Sequence, residues 1–391
     1  MTPAVDVVRQ FEVRVQNEQA LNDVERAIDQ ALPATPKLQR RIHKVLRPPV
    51  LEVRLEGGSS LVADAMASIA RLPGASVRND VIRTPADGHQ GLPFPDPGAR
   101  VRIGVDSLPP SVTRGPAAPV TVAIVDSGIM VDHPRLANRL WRDKRGAHGK
   151  QFIKDPDGKF RSEDDIHDQD GHGTLLAGTV IDAAGDTPVE LMVAKFFDSA
   201  HSARPDNATA ALNYAVDNEA QIILLAWDVG LGSIALEKTF TRACQHALVV
   251  IAAGNYGSDN DWHNGKTLAR APVRYAQAAH DSTIVVMAAD ETGKAWFSNY
   301  GKRSVDMAAP GVNIISTRRC LTKDAAAGPL GTRTHGGTSA AAALVAGAAA
   351  QVMSRYPGLK VPQVKQSLTD SAGRRLDIAA ALGFAESLAR P

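Results

Sequence analysis

Four polar side chains, widely separated along the chain, occupy settings that favour acyl-transfer chemistry. Asp126 ends an apolar run, and His172 lies between two glycines at the start of a segment with helical character. Asn255 follows a second apolar run, and Ser339 opens an alanine-rich helical segment, where free N–H groups favour developing negative charge. Together they supply an orienting acid, a base, an amide donor for an oxyanion and a nucleophile.

Each of these residues also has an ordinary structural interpretation. A carboxylate at a strand end can act as a cap or turn residue, and a lone histidine is more often structural than catalytic. An asparagine next to glycine is usually a turn former, and a serine at a helix start is usually a cap worth about 1 kcal/mol. The hypothesis of an active site therefore requires all four residues to converge.

The segments between them predict the scaffold that would bring them together. Near-continuous apolar runs rich in β-branched residues are typical of parallel strands buried on both faces. Helical segments alternate with these runs, which predicts an α/β fold: a doubly wound, mainly parallel sheet flanked by helices. In such a sheet the chemistry gathers at the carboxyl ends of the strands. The apolar runs are 120–126, 189–197, 221–227, 248–253 and 283–289.

A proline-rich stretch divides the chain into predicted parts. Residues 84–118 form a linker, because proline at that density blocks helix interiors and central strands. Residues 1–83 alternate strands and helices and predict a small α+β domain of ferredoxin-like type. Residues 119–391 form the large α/β domain.

The motifs around the four residues resemble those of the subtilisin-like serine proteases, or subtilases. Ile124–Gly128 resembles the aspartate motif of that family, and Asp170–Thr174 resembles its histidine motif. Ala252–Asn255 is similar to the oxyanion motif, and Gly337–Ser339 is similar to the serine motif. The four motifs occur in the order in which the family carries them.

The resemblance implies a serine endopeptidase that hydrolyses polypeptide substrates through an acyl-enzyme intermediate and requires no cofactor. It implies that Ser339 is the nucleophile, His172 the base, Asp126 the orienting acid and Asn255 the oxyanion donor. An extended substrate would bind as an added strand.

The clearest departure from the family lies at the expected substrate edge. Trp227 and Asp228 replace small residues there, and together with Gly254 they are expected to border the substrate. The shape of the side-chain pockets is thus left open. The Asp228 carboxylate, with the acidic loop 259–261, would favour basic side chains in the substrate.

The N-terminal part resembles the second half of a subtilase propeptide, a domain that acts as intramolecular chaperone and inhibitor. Cleavage is then expected between about Arg83 and Pro119. A retained inhibitory domain would need a regulatory protein partner to release it. The alternative is an unrelated α+β accessory domain.

Composition excludes some classes of partner. Lys and Arg total 44 against 42 Asp and Glu, a net charge of +2, which argues against nucleic acid or an anionic membrane as the main partner. A local basic cluster, 37–47, is interpreted as a solvated helix face.

The two cysteines form no disulfide framework, and no apolar run at the start matches a signal peptide, so a cytoplasmic location is expected.

Two further questions stay open at the level of sequence. The acidic stretch before His172 has ligands of the type that calcium prefers, so structural calcium is an alternative to a solvated loop. It comprises Asp164, Asp165, Asp168 and Asp170. A catalytically silent subtilase fold used for binding or regulation, and an esterase or transferase on the same residues, are the alternative functions.

Overall fold

The computed structural model divides into two compact units, Met1–Arg83 and Thr84–Pro391, and each is described by itself. In the first unit the structure describes only strands. The predicted linker and the predicted N-terminal helices lie outside the described residues. In the second unit the described residues are 119–153, 162–197, 205–229, 232–263, 266–267, 269–277, 280–290, 293–317 and 332–390.

Four antiparallel strands form the described part of the first unit, in the order β2-β3-β1-β4. Strand β2 was expected to belong to a solvated helix face, and that expectation is wrong, because its backbone pairs with β3. The bounds are β1 Asp6–Val15, β2 Gln39–His43, β3 Val50–Gly58 and β4 Ala75–Arg78.

An eight-stranded sheet forms the centre of the second unit, in the order β13-β12-β9-β8-β5-β7-β6, with β14 paired to β12. Its pairs are parallel except that of β12 with the short β13. Two small hairpins, β10–β11 and β15–β16, lie outside it. The bounds are β5 Val120–Asp126, β6 Gly149–Gln151, β7 Val189–Lys195, β8 Ile222–Leu225, β9 Leu248–Ala252, β10 Trp262–His263, β11 Lys266–Thr267, β12 Thr283–Asp290, β13 Gly293–Lys294, β14 Met307–Pro310, β15 Ile314–Thr317 and β16 Thr332–His335.

Helices separate these strands along the chain, and this alternation confirms the predicted α/β class. Among the described residues no helix combines the length and hydropathy needed to cross a membrane. The bounds are α1 His172–Ala184, α2 Pro205–Asp217, α3 Ile234–His246, α4 Val273–Ala276, α5 Thr338–Arg355, α6 Val361–Asp370 and α7 Ile378–Ala389, with short 3-10 helices at Ala137–Arg139 and His280–Ser282.

Helix α5 is buried almost all round, as a helix that is apolar on every face must be. Its alanines let other elements approach closely. At Gly347 a Cβ atom would lie 2.3 Å from the carbonyl oxygen of Val180 in α1, so the two helices pack with no room for a side chain there. The two helices whose first turns carry His172 and Ser339 are thereby fixed against each other.

The parallel strands place the predicted site residues at one edge of the sheet. Asp126 is the last residue of β5, Ala226 follows its neighbour β8, and Asn255 follows the next strand, β9. Carboxyl ends of parallel neighbours meet at the same edge. The fold therefore brings together chain segments that are far apart in sequence.

A buried ion pair ties α6 to the sheet. Lys365 Nζ donates to Asp306 Oδ1 at 2.6 Å and to the Thr283 carbonyl at 2.7 Å. The second carboxylate oxygen of Asp306 accepts from Val285 N at 2.8 Å. Both charged residues are 7% exposed, so each depends on the other for compensation in a poorly solvated place.

We therefore expect Lys365→Met to lower the free energy of unfolding by about 3–5 kcal/mol, because it leaves the Asp306 charge buried without its cation. Denaturant unfolding in a Ser339→Ala background, which removes the predicted nucleophile, would measure the loss. Lys238→Met is the matched control, since Lys238 lies exposed on α3. An equal effect of the two substitutions would contradict a stabilising role for the pair.

Candidate active site

The pairing of Asp126 with His172 joins the end of β5 to the start of α1. His172 Nδ1 lies 2.8 Å from Asp126 Oδ1, and the N–H of Ser127 donates to the same oxygen at 2.8 Å. Asp126 is 0% and His172 2% exposed. With Nδ1 as the donor to Asp126, the ring presents Nε2 as its proton acceptor. The contact therefore fixes both the orientation and the tautomer of the imidazole.

Electrostatics raise the pKa of His172 above its ordinary 6.5. Burial lowers this pKa, but the charge and hydrogen bond of Asp126, together with the charges of Asp170 and Asp168, outweigh burial. The second oxygen of Asp126, Oδ2, is buried and has no hydrogen-bond partner in the described part of the chain. A carboxylate with so few donors of its own acts strongly on the neighbouring ring.

Asp168 is the centre of a buried hydrogen-bond cluster, which we call the Asp168 hub. Its Oδ1 accepts from Ser127 Oγ at 2.9 Å, from Asp170 N at 3.0 Å and from Gly171 N at 2.7 Å. Its Oδ2 accepts from Thr174 N at 2.9 Å and from Thr174 Oγ1 at 2.5 Å. Five donors on one carboxylate hold the loop before His172 against the loop after Asp126.

Close backbone packing around the hub requires glycine. The N–H of Gly173 donates to Ser127 Oγ at 2.9 Å, and a Cβ atom at Gly173 would lie 2.1 Å from the Gly128 carbonyl oxygen. Gly128 has a φ of +109°, a left-handed conformation that side chains rarely adopt. The glycines beside the two catalytic candidates thus set the distance between the two loops.

Ser339 lies in the first turn of α5, which begins at Thr338, slightly earlier than the sequence predicted. The residue is 2% exposed, and its hydroxyl donates to the carbonyl oxygen of Ala226 at 3.1 Å. Within the described residues it makes no hydrogen bond to His172. The structure joins Asp126 to His172 directly and holds Ser339 at the neighbouring strand end.

Asn255 is fixed to the residue before the serine. Its Oδ1 accepts from Thr338 N and from Thr338 Oγ1, each at 2.9 Å, and Thr338 Oγ1 accepts from Gly254 N at 3.1 Å. Gly254 has a φ of +104°, and a Cβ atom there would lie 2.6 Å from Asn299 Nδ2. Because its oxygen faces the start of α5, the Asn255 amide group has its N–H donors available for a ligand.

The side chains of the two predicted substrate-binding residues after β8 are both engaged with protein. Trp227 is buried, its Nε1 donates to the Val125 carbonyl at 2.8 Å, and its ring packs edge-on against Phe196. Asp228 accepts from Tyr256 Oη at 2.9 Å and from Arg270 Nε at 2.5 Å. Any contact of Trp227 with substrate is therefore through its main chain. Substrate binding by Trp227, Asp228 and Gly254 stays a prediction.

Two members of the acidic stretch considered as a calcium site, Asp168 and Asp170, accept hydrogen bonds from protein donors. Both oxygens of Asp168 are occupied by the hub, and Asp170 Oδ1 accepts from His172 N at 3.1 Å. Over the described ranges no group of three or more His, Cys, Asp or Glu side chains is placed to hold a metal ion.

Sequence reasoning missed the hub and the Thr338 contact. In the sequence, Asp168 is singled out only for its charge. An aspartate side chain that accepts hydrogen bonds from the backbone N–H groups two and three residues later forms a local Asx turn, so a signal for this role was present. The role of Thr338 had no such signal, because its partner Asn255 lies far away in sequence.

Comparisons with known proteins show the family to which this chain is similar. The model of the subtilase family matches residues 118–385. A thermostable alkaline protease of Halalkalibacterium halodurans is 32% identical over 262 residues, which cover 64% of this chain and 61% of that protein. Subtilisin DY of Bacillus licheniformis is 31% identical over 265 residues, which cover 65% of this chain and 84% of that protein. This chain thus spans less than two thirds of the first relative.

Two solved structures share the fold. The alignment with a lanthipeptide protease has a TM-score of 0.55 at 24% identity and covers 68% of this chain and 88% of that chain. The second is an epidermin leader peptide processing serine protease from Staphylococcus aureus. Its alignment has a TM-score of 0.58 at 18% identity and covers 96% of this chain and 98% of that chain.

The hub predicts a measurable effect on the neighbouring imidazole. Asp168→Asn turns one acceptor into a donor that faces other donors, so we expect a loss of about 1–3 kcal/mol for each buried N–H or O–H left unsatisfied. It also removes a negative charge that raises the pKa of His172, so that pKa should fall. NMR titration of His172 and denaturant unfolding, both in the Ser339→Ala background, would measure the two effects.

Asp164→Asn is the control for this experiment, because Asp164 is exposed in the same acidic stretch. It should leave the pKa of His172 and the free energy of unfolding unchanged. The assigned role of the hub is wrong if Asp168→Asn behaves like this control.

Proposed function

Because the chain belongs to the subtilase family, we propose that it is a serine endopeptidase that hydrolyses peptide bonds in polypeptide substrates through an acyl-enzyme intermediate. The observation that carries the proposal is the buried 2.8 Å contact between His172 Nδ1 and Asp126 Oδ1. This contact leaves the opposite ring nitrogen as a base at the sheet edge where the helix that carries Ser339 begins.

In the proposed first step, the Ser339 hydroxyl turns from the Ala226 carbonyl towards His172 Nε2. Ser339 Oγ then attacks the scissile carbonyl carbon while His172 accepts the hydroxyl proton. Asp126 stabilises the imidazolium that forms, through its hydrogen bond to Nδ1–H and its charge.

The negative charge on the carbonyl oxygen requires donors that are already in place. The Asn255 N–H₂ group is held by Thr338, and the N–H of Ser339 is among the first N–H groups of α5, which have no partner within the helix. Both donors and the positive end of the helix dipole stabilise the oxyanion.

The intermediate then collapses and His172 donates its proton to the leaving amine, which releases one product. Water, deprotonated by the same imidazole, then attacks the acyl carbon. The bond from this carbon to Ser339 Oγ breaks, the imidazolium returns the proton to Ser339 Oγ, and the carboxylic acid product leaves. Apart from the attacking water, these steps use only side chains and backbone of the chain, so they require no cofactor.

We also propose that the N-terminal unit restrains the peptidase unit as an inhibitor and chaperone. Support comes from the propeptide resemblance and from the compact first unit with its four-stranded antiparallel sheet. Self-cleavage between Arg83 and Pro119 would release the restraint, and a regulatory protein partner would do so if the unit is retained.

A catalytically silent binding protein is the second candidate. The observation that favours it is the hydrogen bond of Ser339 Oγ to the Ala226 carbonyl, which leaves the hydroxyl without a hydrogen bond to His172 in the described structure. A fluorophosphonate probe separates the two functions, since only an activated serine reacts with it.

We expect the wild-type protein to react with a fluorophosphonate probe and Ser339→Ala to lose this labelling completely. Mass spectrometry of the two purified proteins should find cleavage within residues 83–119 in the wild type only. Labelling that persists in Ser339→Ala would show that the nucleophile is a different residue. A wild-type protein that is folded but unlabelled, both intact and after cleavage within residues 83–119, would favour the silent binding protein.

Removal of the oxyanion donor should lower the rate without preventing acylation. We expect Asn255→Ala to reduce kcat by about 10²–10³-fold, the magnitude known for loss of such a donor in subtilisin itself. KM should change little, because the donor acts on the charge that develops in the transition state. A raised KM with unchanged kcat would contradict this role.

The activity should rise with pH as His172 loses its proton, because only the neutral ring is a base. Since the pKa of His172 is raised, the midpoint of kcat/KM should lie above 6.5. Asp170→Asn removes one of the charges that raise this pKa and should shift the midpoint to lower pH. An unchanged profile in that variant would contradict the assignment of the midpoint to His172.

A further inference from the structure

Two segments of chain flank the nucleophile. The segment 226–229 follows β8, and its Ala226 carbonyl accepts the Ser339 hydroxyl at 3.1 Å. The segment 254–257 follows β9, and its Asn255 side chain is bonded to Thr338. We call these two segments the walls. Asp228 lies two residues after Ala226 and Tyr256 lies one residue after Asn255, so both border the same space beside the scissile bond.

Three side chains contact one another across the space between the two walls. Tyr256 Oη donates to Asp228 Oδ2 at 2.9 Å. Arg270 Nε donates to Asp228 Oδ1 at 2.5 Å, and its guanidinium carbon lies 5.6 Å from the centre of the Tyr256 ring. Each of the three side chains thus contacts the other two, by a hydrogen bond, an ion pair and a cation–π contact. We call these three residues the clamp.

The backbone holds the third member of the clamp in place. Arg270 precedes Ala271, whose carbonyl oxygen accepts from Val229 N at 2.9 Å. The side chains of Arg270 and Asp228 are 15% and 9% exposed, so the ion pair lies largely out of water. A screened surface pair would open easily, whereas a largely buried pair of this kind is costly to break.

A bound substrate would direct one side chain at the clamp. When its carbonyl carbon lies at Ser339 Oγ and its oxygen at the Asn255 amide, the residue that supplies the carbonyl lies between the two walls. Its side chain points into the space that the Tyr256 ring and the Arg270 guanidinium occupy. The Asp228 carboxylate, which was expected to attract basic side chains, already faces the Arg270 cation.

We propose that Asp228, Arg270 and Tyr256 close the pocket for the residue immediately before the cleaved bond, so that the enzyme selects substrates with a small, uncharged side chain there. This inference rests on the proposed peptidase function and names the substrate class of that same site. Alanine or glycine fits beside the clamp, while an aromatic or basic side chain has to displace it.

The test compares peptide p-nitroanilides that are identical except for alanine, phenylalanine or arginine before the cleaved bond. For the wild type, kcat/KM for the alanine substrate should exceed that for the other two by about 10-fold or more, a ratio that steric exclusion of a few methylene groups produces. Equal kcat/KM values for the three substrates would overturn the proposal.

Two variants probe the members of the clamp separately. Tyr256→Ala should raise the phenylalanine-to-alanine ratio of kcat/KM by about 10-fold, because it opens the space of the ring. Arg270→Leu removes the cation that faces Asp228 and should raise the arginine-to-alanine ratio by a similar factor. Tyr300→Ala is the matched control, since Tyr300 is 39% exposed, as is Tyr256, and it should leave both ratios unchanged.

Fluorophosphonate labelling of each protein separates a failure of the proposed peptidase function from a failure of the proposed clamp. A wild type that is not labelled, neither intact nor after cleavage within residues 83–119, contradicts the proposed function itself. A labelled wild type without preference for alanine contradicts the clamp alone, as does a labelled Tyr256→Ala whose ratio equals that of Tyr300→Ala. If the variants do not fold and therefore do not react with the probe, the substrate preference of the wild type alone decides whether the clamp proposal holds.

Discussion

The buried hydrogen bond between Asp126 and His172 is the interaction on which the rest of the site depends. It joins the end of the central strand β5 to the first residue of α1 at 2.8 Å, in a place that is almost closed to water. Burial alone would favour a neutral ring, and the Asp126 carboxylate, together with the charges of Asp170 and Asp168, reverses this preference. The same contact therefore supplies orientation, tautomer and charge stabilisation.

Much of the surrounding structure can be understood as support for this contact. The Asp168 hub holds the two loops together with five hydrogen bonds to one carboxylate, and Gly128 and Gly173 permit the approach of their backbones. Thr338 performs the equivalent task for Asn255. Each site side chain is thus fixed by a neighbour, as preorganised catalysis requires.

The sequence predicted the parts whose signals are local. Apolar runs became parallel strands, so Asp126 and Asn255 were correctly placed at strand ends. Strand β2 was missed because its basic residues hide any period-two pattern, and its pairing with β3 is not local. The clamp of Asp228, Arg270 and Tyr256 could not be predicted either, because its contacts are not local. Its three residues come from separate segments, which meet only when the chain has folded.

A crystal structure of the protein with a peptide phosphonate bound covalently would test the central claim most directly. The account predicts a bond from Ser339 Oγ to phosphorus, a phosphonyl oxygen within hydrogen-bonding distance of Asn255 Nδ2 and Ser339 N, and His172 Nδ1 still on Asp126. An adduct on another residue, or an imidazole turned away from Asp126 in the complex, would contradict it.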